Sequence, residues 1–183
     1  CPIESNASTF LEEMRSKVKN HEKIDVFLGS KMEEVNGYLG NYEVCVRDSK
    51  DEIIDLKVGT IIVATGCLEY KPHGLYEYGN GNENVLTQLE LEQKLRDEDL
   101  SWLEGIDRVT MILCVNARQE KGITYCSNVC CGNAIKNVGH LKELKPELEI
   151  VVLYRDIQMA KKSNERYYRD RRKHAMFLRY DLD

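Results

Sequence analysis

No apolar run in this sequence approaches the roughly 18 residues that a membrane-spanning helix needs, so any link to a membrane goes through a partner. Proline is scarce, with three in 183 residues, and no internal repeat or low-complexity tract breaks the chain. Positive charge is not in excess. Lys and Arg number 26 against 31 Asp and Glu, a formal net charge of −5, which argues against a general nucleic-acid binder. The four histidines, His21, His73, His140 and His174, are scattered and show no metal-ligand spacing. No Ser/His/Asp arrangement and no hydrolase motif is legible. The first residues form neither a basic nor an apolar leader region, so no signal peptide is expected, and a start at Cys1 in place of Met points to a processed chain or a fragment. Hydrophobic residues at 42% and charged residues at 31% exclude disorder and indicate a globular chain. Seven cysteines are too few for a disulfide scaffold of this length. Their number is odd and three fall between positions 126 and 131, which points to metal or redox chemistry in a reducing, cytoplasmic compartment.

Residues 8–20 read as a helix. Ser8 or Thr9 can cap it, and Phe10, Leu11, Met14 and Val18 make an apolar stripe. Ile24, Val26 and Leu28 alternate with polar residues, as in a strand. Residues 34–46 read as strand, Gly/Asn turn, strand, and Ile53, Ile54 and Leu56 as a further strand edge. The run 58–64 (VGTIIVA) is nearly continuous in apolar side chains, the pattern of a strand buried on both faces of a parallel sheet. After a Gly/Asn-rich loop at 76–84, a short helix is expected at 87–96. A polar stretch at 97–107 marks a domain boundary. Beyond it, strand 109–113, helix 128–145 stopped by Pro146, strand 150–154, helix 164–174 and strand 176–180 predict a βαβαβ unit with a parallel sheet.

The cysteines of this second unit are the most informative feature. Cys114 ends a predicted strand, Cys126 lies in the loop that follows, and Cys130 and Cys131 open a helix, a spacing of C-x11-C-x3-C-C. Ligands on a strand end, a loop and a helix start can converge on one point. The N–H groups of that helix end would stabilise an anionic thiolate centre. Four thiolates are what a cubane iron–sulfur cluster takes. Tetrathiolate zinc usually shows two C-x2–4-C knuckles, which this spacing lacks. A vicinal disulfide would be strained. Iron–sulfur, zinc and free thiols all stay open on spacing alone. Cys45 and Cys67 stand singly in or beside apolar runs and read as core residues.

Residues 114–118 (CVNAR), 125–137 (YCSNVCCGNAIKN), 141–144 (LKEL) and 152–157 (VLYRDI) resemble the A subunit of heterodisulfide reductase. The similarity extends upstream through 34–42 (EVNGYLGNY), 58–66 (VGTIIVATG) and 86–95 (LTQLELEQKL), and so covers nearly the whole chain. The family includes the A subunit of a quinone-interacting membrane-bound oxidoreductase complex, which stands as an alternative. The resemblance implies an α/β fold with a core like thioredoxin reductase: two Rossmann-like units, the first (1–97) an incomplete FAD domain with a β-hairpin, the second (98–183) shaped like a nicotinamide domain. It implies FAD and a 4Fe-4S cluster as cofactors, with Cys114, Cys126, Cys130 and Cys131 as cluster ligands. Lys136, about 7.5 Å along the helix from Cys131, matches the family's lysine near the reactive edge of the flavin. An acidic residue in the family approaches the flavin where Glu90 stands. Glu90 is also the last residue of a T-x-x-E capping box begun by Thr87. Ala64, Thr65 and Gly66 resemble the motif at which the backbone of two-domain flavoproteins passes close to FAD, where glycine permits close approach. The implied activity is electron transfer between FAD and the cluster, with flavin-based bifurcation known in anaerobic, methanogenic members. The implied partners are other subunits of the complex and iron–sulfur proteins such as ferredoxin and hydrogenase or formate dehydrogenase subunits. A non-catalytic zinc or docking module is the competing reading.

The sequence also departs from the family. The G-x-G-x-x-G turn that holds the FAD pyrophosphate is absent; Gly79-Asn80-Gly81 neither follows a strand nor opens a helix. The ferredoxin-like C-x2-C-x2-C-x3-C inserts of the long form are absent too. Cysteines stand where a nicotinamide domain would hold phosphate, so no NAD(P) is expected. The basic run from Lys161 to Lys173, interleaved with Tyr167 and Tyr168, reads as a solvated outer helix or a docking face for other subunits.

Overall fold

The computed structural model describes residues 7–97, 99–159 and 162–181. Cys1 and Lys161 lie outside them. The chain divides into two compact units, residues 1–67 and 68–183.

The first unit holds helix α1 (Ala7–Lys19) and strands β1 (Lys31–Tyr38), β2 (Asn41–Arg47) and β3 (Ile53–Val58), paired as an antiparallel meander in the order β1-β2-β3. The predicted turn is realised: Tyr38 pairs with Asn41 across Leu39-Gly40. Gly37 has φ +96°, and a Cβ there would lie 2.2 Å from the Asn41 carbonyl oxygen, so only glycine fits. Val44 is the one core residue of this unit among the described residues, and the α1 stripe of Phe10, Leu11 and Val18 is exposed.

Three expectations for this unit fail. Residues 24–28 are not a strand, and Leu28 is 80% exposed. The run 59–64 is not a buried strand either; Ile62 and Val63 are 86% and 76% exposed. A strand buried on both faces needs hydrogen-bonding neighbours and covering layers. The described residues of this unit offer β1–β3 alone, and these pair among themselves. Cys67, expected in a core, is exposed, while Cys45 in β2 is half-buried.

The second unit carries the predicted alternation. It contains α2 (Gln88–Lys94), a short 3-10 helix (Ser101–Leu103), β4 (Arg108–Ile112), α3 (Cys130–Leu144), β5 (Glu149–Tyr154), α4 (Lys162–Arg172) and β6 (Met176–Arg179). The three strands form a parallel sheet in the order β4-β5-β6, with Val109 opposite Ile150 and Val152 opposite Phe177. Helix α3 buries Cys131, Ala134, Ile135, Val138 and Leu141, the i, i+3, i+4, i+7 spacing of one face. Met111, Ile150 and Val152 meet it from the sheet. Lys145 closes the helix: its N–H donates to the Leu141 carbonyl, and its Nζ donates to the carbonyls of Glu104 and Ile106 at 3.0 and 2.8 Å. Residues 97–107, where the sequence marks a boundary, lie within this unit, and Trp102 and Ile106 pack on its core.

The basic run forms α4, and much of it is engaged within the fold. Arg171 pairs with Glu143 at 2.8 Å and lies against Gly139, and Tyr168 meets Phe177 edge-on. Among the described residues no helix is long and apolar enough to cross a membrane.

Candidate functional site

The carboxyl ends of β4 and β5 and the start of α3 meet at one place, where crossover topology leaves an open edge above the sheet. Leu113 still pairs with β5, its N–H donating to the Leu153 carbonyl. At Cys114 the chain turns sharply, with φ +61°, and Asn116 and Arg118 follow at +50° and +58°. Left-handed backbone costs a non-glycine residue about 1–3 kcal/mol and persists where the surroundings over-determine it.

The loop then leads to Cys126, whose sulfur accepts from the Asn128 N–H at 3.3 Å. Helix α3 begins at Cys130 with Val129 at its cap position and no side-chain cap. Its first N–H groups are therefore left for other acceptors.

Cys114, Cys130 and Cys131 lie close enough here to act on one another, and Cys126 acts on Cys114. The Cys130 thiol is drawn down to about 5, chiefly by the hydrogen bond from the Cys131 thiol. Burial opposes that shift, and the Ser127 hydroxyl and the N–H groups of Cys131 and Cys114 add to it. Cys131, which is 2% exposed, is pushed up because it holds the shared proton and because it is buried. Cys114 is also pushed up, by burial first and then by the charges of Cys130 and Cys126, with the Arg118 side chain working against them.

A second ring of contacts comes from residues that neither spacing nor motif singled out as site residues. Arg118 Nη1 is 2.9 Å from the Asp156 carboxylate, and Arg155 Nη1 donates to the Arg118 carbonyl at 2.9 Å. The Cys131 sulfur lies 3.9 Å from the Asp156 carbonyl, and the Gln158 N–H donates to that sulfur. The Tyr180 hydroxyl donates to the Leu113 carbonyl. Arg118 and Asp156 lie in the stretches 114–118 and 152–157 already noted. The only sequence signal for their pairing is opposite charge just past two adjacent parallel strands.

Among the described residues no three Cys, His, Asp or Glu side chains are set to hold a metal ion together.

Lys136 projects from α3 and forms an ion pair with Glu92 of α2 at 2.8 Å. Glu90 completes the capping box: its Oε2 accepts from the Thr87 N–H at 2.8 Å. Its Oε1 accepts from Lys71 at 2.6 Å and Tyr78 at 2.8 Å. Cap and charge partners together therefore hold Glu90 within the protein. Ala64, Thr65 and Gly66 belong to the exposed segment of the first unit, and Gly66 has φ +71°.

No protein-family model matches the chain. Curated relatives do. The chain is 40% identical over 142 residues, 69% of its length, to the A subunit of the H(2):CoB-CoM heterodisulfide,ferredoxin reductase of Methanothermobacter marburgensis. It is 39% identical over 134 residues to an iron-sulfur A subunit of the CoB--CoM heterodisulfide reductase of Methanopyrus kandleri, and 40% over 132 residues to that of Methanocaldococcus jannaschii. The chain belongs to the family of heterodisulfide reductase A subunits. It spans about a fifth of the length of these relatives, 22% of the first and 20% of the other two. The family membership expected from residues 114–157 and the upstream segments is therefore borne out.

Proposed function

We propose that this chain is part of an electron-transferring oxidoreductase subunit in which Cys114, Cys126, Cys130 and Cys131 hold a 4Fe-4S cluster. One observation supports the reading: Cys114 lies just past the carboxyl end of β4, Cys126 in the loop that follows, and Cys130 and Cys131 at the start of α3, which has no side-chain cap. When bound, such a cluster accepts and passes on single electrons. The chain's own residues supply the rest. The free N–H groups of the helix and the N–H of Cys114 stabilise negative charge on sulfur. Leu113 and the Tyr180 hydroxyl fix the strand end from which Cys114 departs.

The flavin side of the proposal rests on family membership. Residues 1–97 contribute to FAD binding through Ala64, Thr65 and Gly66, and residues 98–183 form the Rossmann-like cluster unit. Lys136 on α3 and Glu90 on α2 would be the residues that approach the bound flavin. Lys136, held by Glu92, would supply a hydrogen bond and positive charge to the reduced flavin. With both groups bound, FAD and the cluster would exchange electrons, with bifurcation at the flavin, and the complex would exchange them with its other subunits, ferredoxin, and hydrogen- or formate-oxidising partners of the kind named for the relatives.

Iron and acid-labile sulfide, measured after anaerobic purification, are expected in equal amounts, and each Cys→Ser change at 114, 126, 130 or 131 is expected to abolish both. Stoichiometric zinc in their place would replace electron transfer with a docking module. Lys136→Ala, in the intact complex, is expected to shift the flavin potential; an unchanged value removes that residue from the mechanism.

A further inference from the structure

Side chains in the parallel sheet of the second unit alternate between two faces. Val109 stands opposite Ile150, and Met111 opposite Val152, which in turn stands opposite Phe177. These residues share the face on which α3 and α4 lie. Met111, Ile150 and Val152 join the core with Ala134, Val138 and Leu141 of α3, and Phe177 meets Tyr168 of α4 edge-on. Two successive right-handed crossovers along the order β4-β5-β6 put both helices on that one side.

The other face carries two rows across the strands, Thr110–Val151–Met176 and Ile112–Leu153–Leu178. All but Thr110 are apolar, and neither row holds a charge. Met176 is 60% and Leu178 46% exposed, and Ile112, Val151 and Leu153 are half-buried, whereas Val152 between them in β5 is fully buried. The rows have a polar limit. One register step before them Arg108 and Glu149 stand side by side, exposed and ion-paired.

An antiparallel sheet can leave one face to water, but a parallel sheet is covered on both. Rows that run over three strands need a packed apolar layer to cover them, not a single side chain. A charge-free face of this kind has the character of a domain core cut open, while contacts that separate proteins make and break are more polar. The family has residues to supply such a layer. The chain spans only 22% and 20% of the length of the relatives from Methanothermobacter marburgensis and Methanopyrus kandleri, so most of each subunit lies outside the matched part.

We propose that the face bearing Val151, Met176, Ile112, Leu153 and Leu178 is an internal docking surface, covered by an apolar layer that residues of the same subunit outside this chain supply. The inference rests on family membership and on the geometry of the sheet, and it is independent of the cluster assignment.

Met176 is the reporter, because a thioether oxidises where solvent reaches it. Hydroxyl-radical footprinting, read by mass spectrometry, compares the 183-residue chain with the full-length subunit purified without its partner subunits, each over a range of protein concentrations. Met176 is expected to react several-fold more slowly in the full-length subunit than in the chain, at every concentration. Equal reactivity in the two overturns the proposal. Protection that grows in the chain with its concentration assigns the face to a second copy, and protection that appears only when other subunits are added assigns it to them; either result overturns the proposal too. Leu178→Asp gives a second reading. The denaturation midpoint of the chain is expected to stay unchanged, because water already reaches Leu178 there, and that of the full-length subunit to fall. A midpoint unchanged in both overturns the proposal, whereas a full-length variant that fails to fold beside a folded chain variant supports it.

Discussion

Glu90 accepts from the Thr87 N–H, Lys71 and Tyr78 at once, and these bonds outweigh its burial. Burial alone would raise its carboxyl, yet the group sits lowered from 4.5 to about 2. Lys71 is raised in return, mainly by Glu90 and then by Glu69. A carboxylate depressed by folding stabilises the native state above its ordinary value and loses that contribution as pH falls through the folded value. Wild-type stability is therefore expected to decline between pH 4.5 and about 2 in part through this group. Glu90→Gln should flatten the dependence in that window, read as denaturation midpoints across the pH series. A slope equal to wild type would mean that Glu90 carries no linked proton.

At the scale of elements, α2 is tied to α3 through two polar contacts. Lys136 pairs with Glu92, and Asn137, fully buried, donates through Nδ2 to Gln88 Oε1 at 2.7 Å. The Asn137 Oδ1 has no partner, so the residue keeps a polar cost in the core for the sake of one bond. Asn137→Ala is expected to destabilise by about 1–3 kcal/mol, since it leaves the Gln88 carbonyl oxygen without its donor. Chemical denaturation measures it, and a loss below about 0.5 kcal/mol would show that α2 is held by its apolar side alone. That side is Leu91 and Leu95, both in the core cluster. The contact matters to the site because Lys136 and Asn137 are consecutive: the bond that locates one orients the other.

For the whole molecule, all four candidate ligands and every residue of the ring around them fall within residues 68–183. The same unit holds nearly all of the buried apolar side chains, with Val44 as the exception among the described residues. Residues 68–183 produced alone are expected to unfold cooperatively and to take up iron and sulfide as the full chain does. Failure to retain iron in a folded fragment would mean that the first unit contributes to the centre. Much of this plan was legible in the residues. The 3.6-residue stripe of α3, the Thr87–Glu90 capping box, the Gly37–Asn41 turn and the β-runs of the second unit are local patterns, and local sterics and hydrogen bonding realise them. Periodicity misled at 24–28 and 58–64, because an apolar or alternating run states what a strand requires and not whether a partner strand is at hand. The elements of the second unit, the cysteine spacing and the family were all readable from the residues alone. That Arg118 and Asp156 face each other across two parallel strand ends, and that Cys131 is buried beside Cys130, followed only from the tertiary structure. Those outcomes depend on residues far apart in the chain, and on burial that exists only once the sheet and its helices have closed.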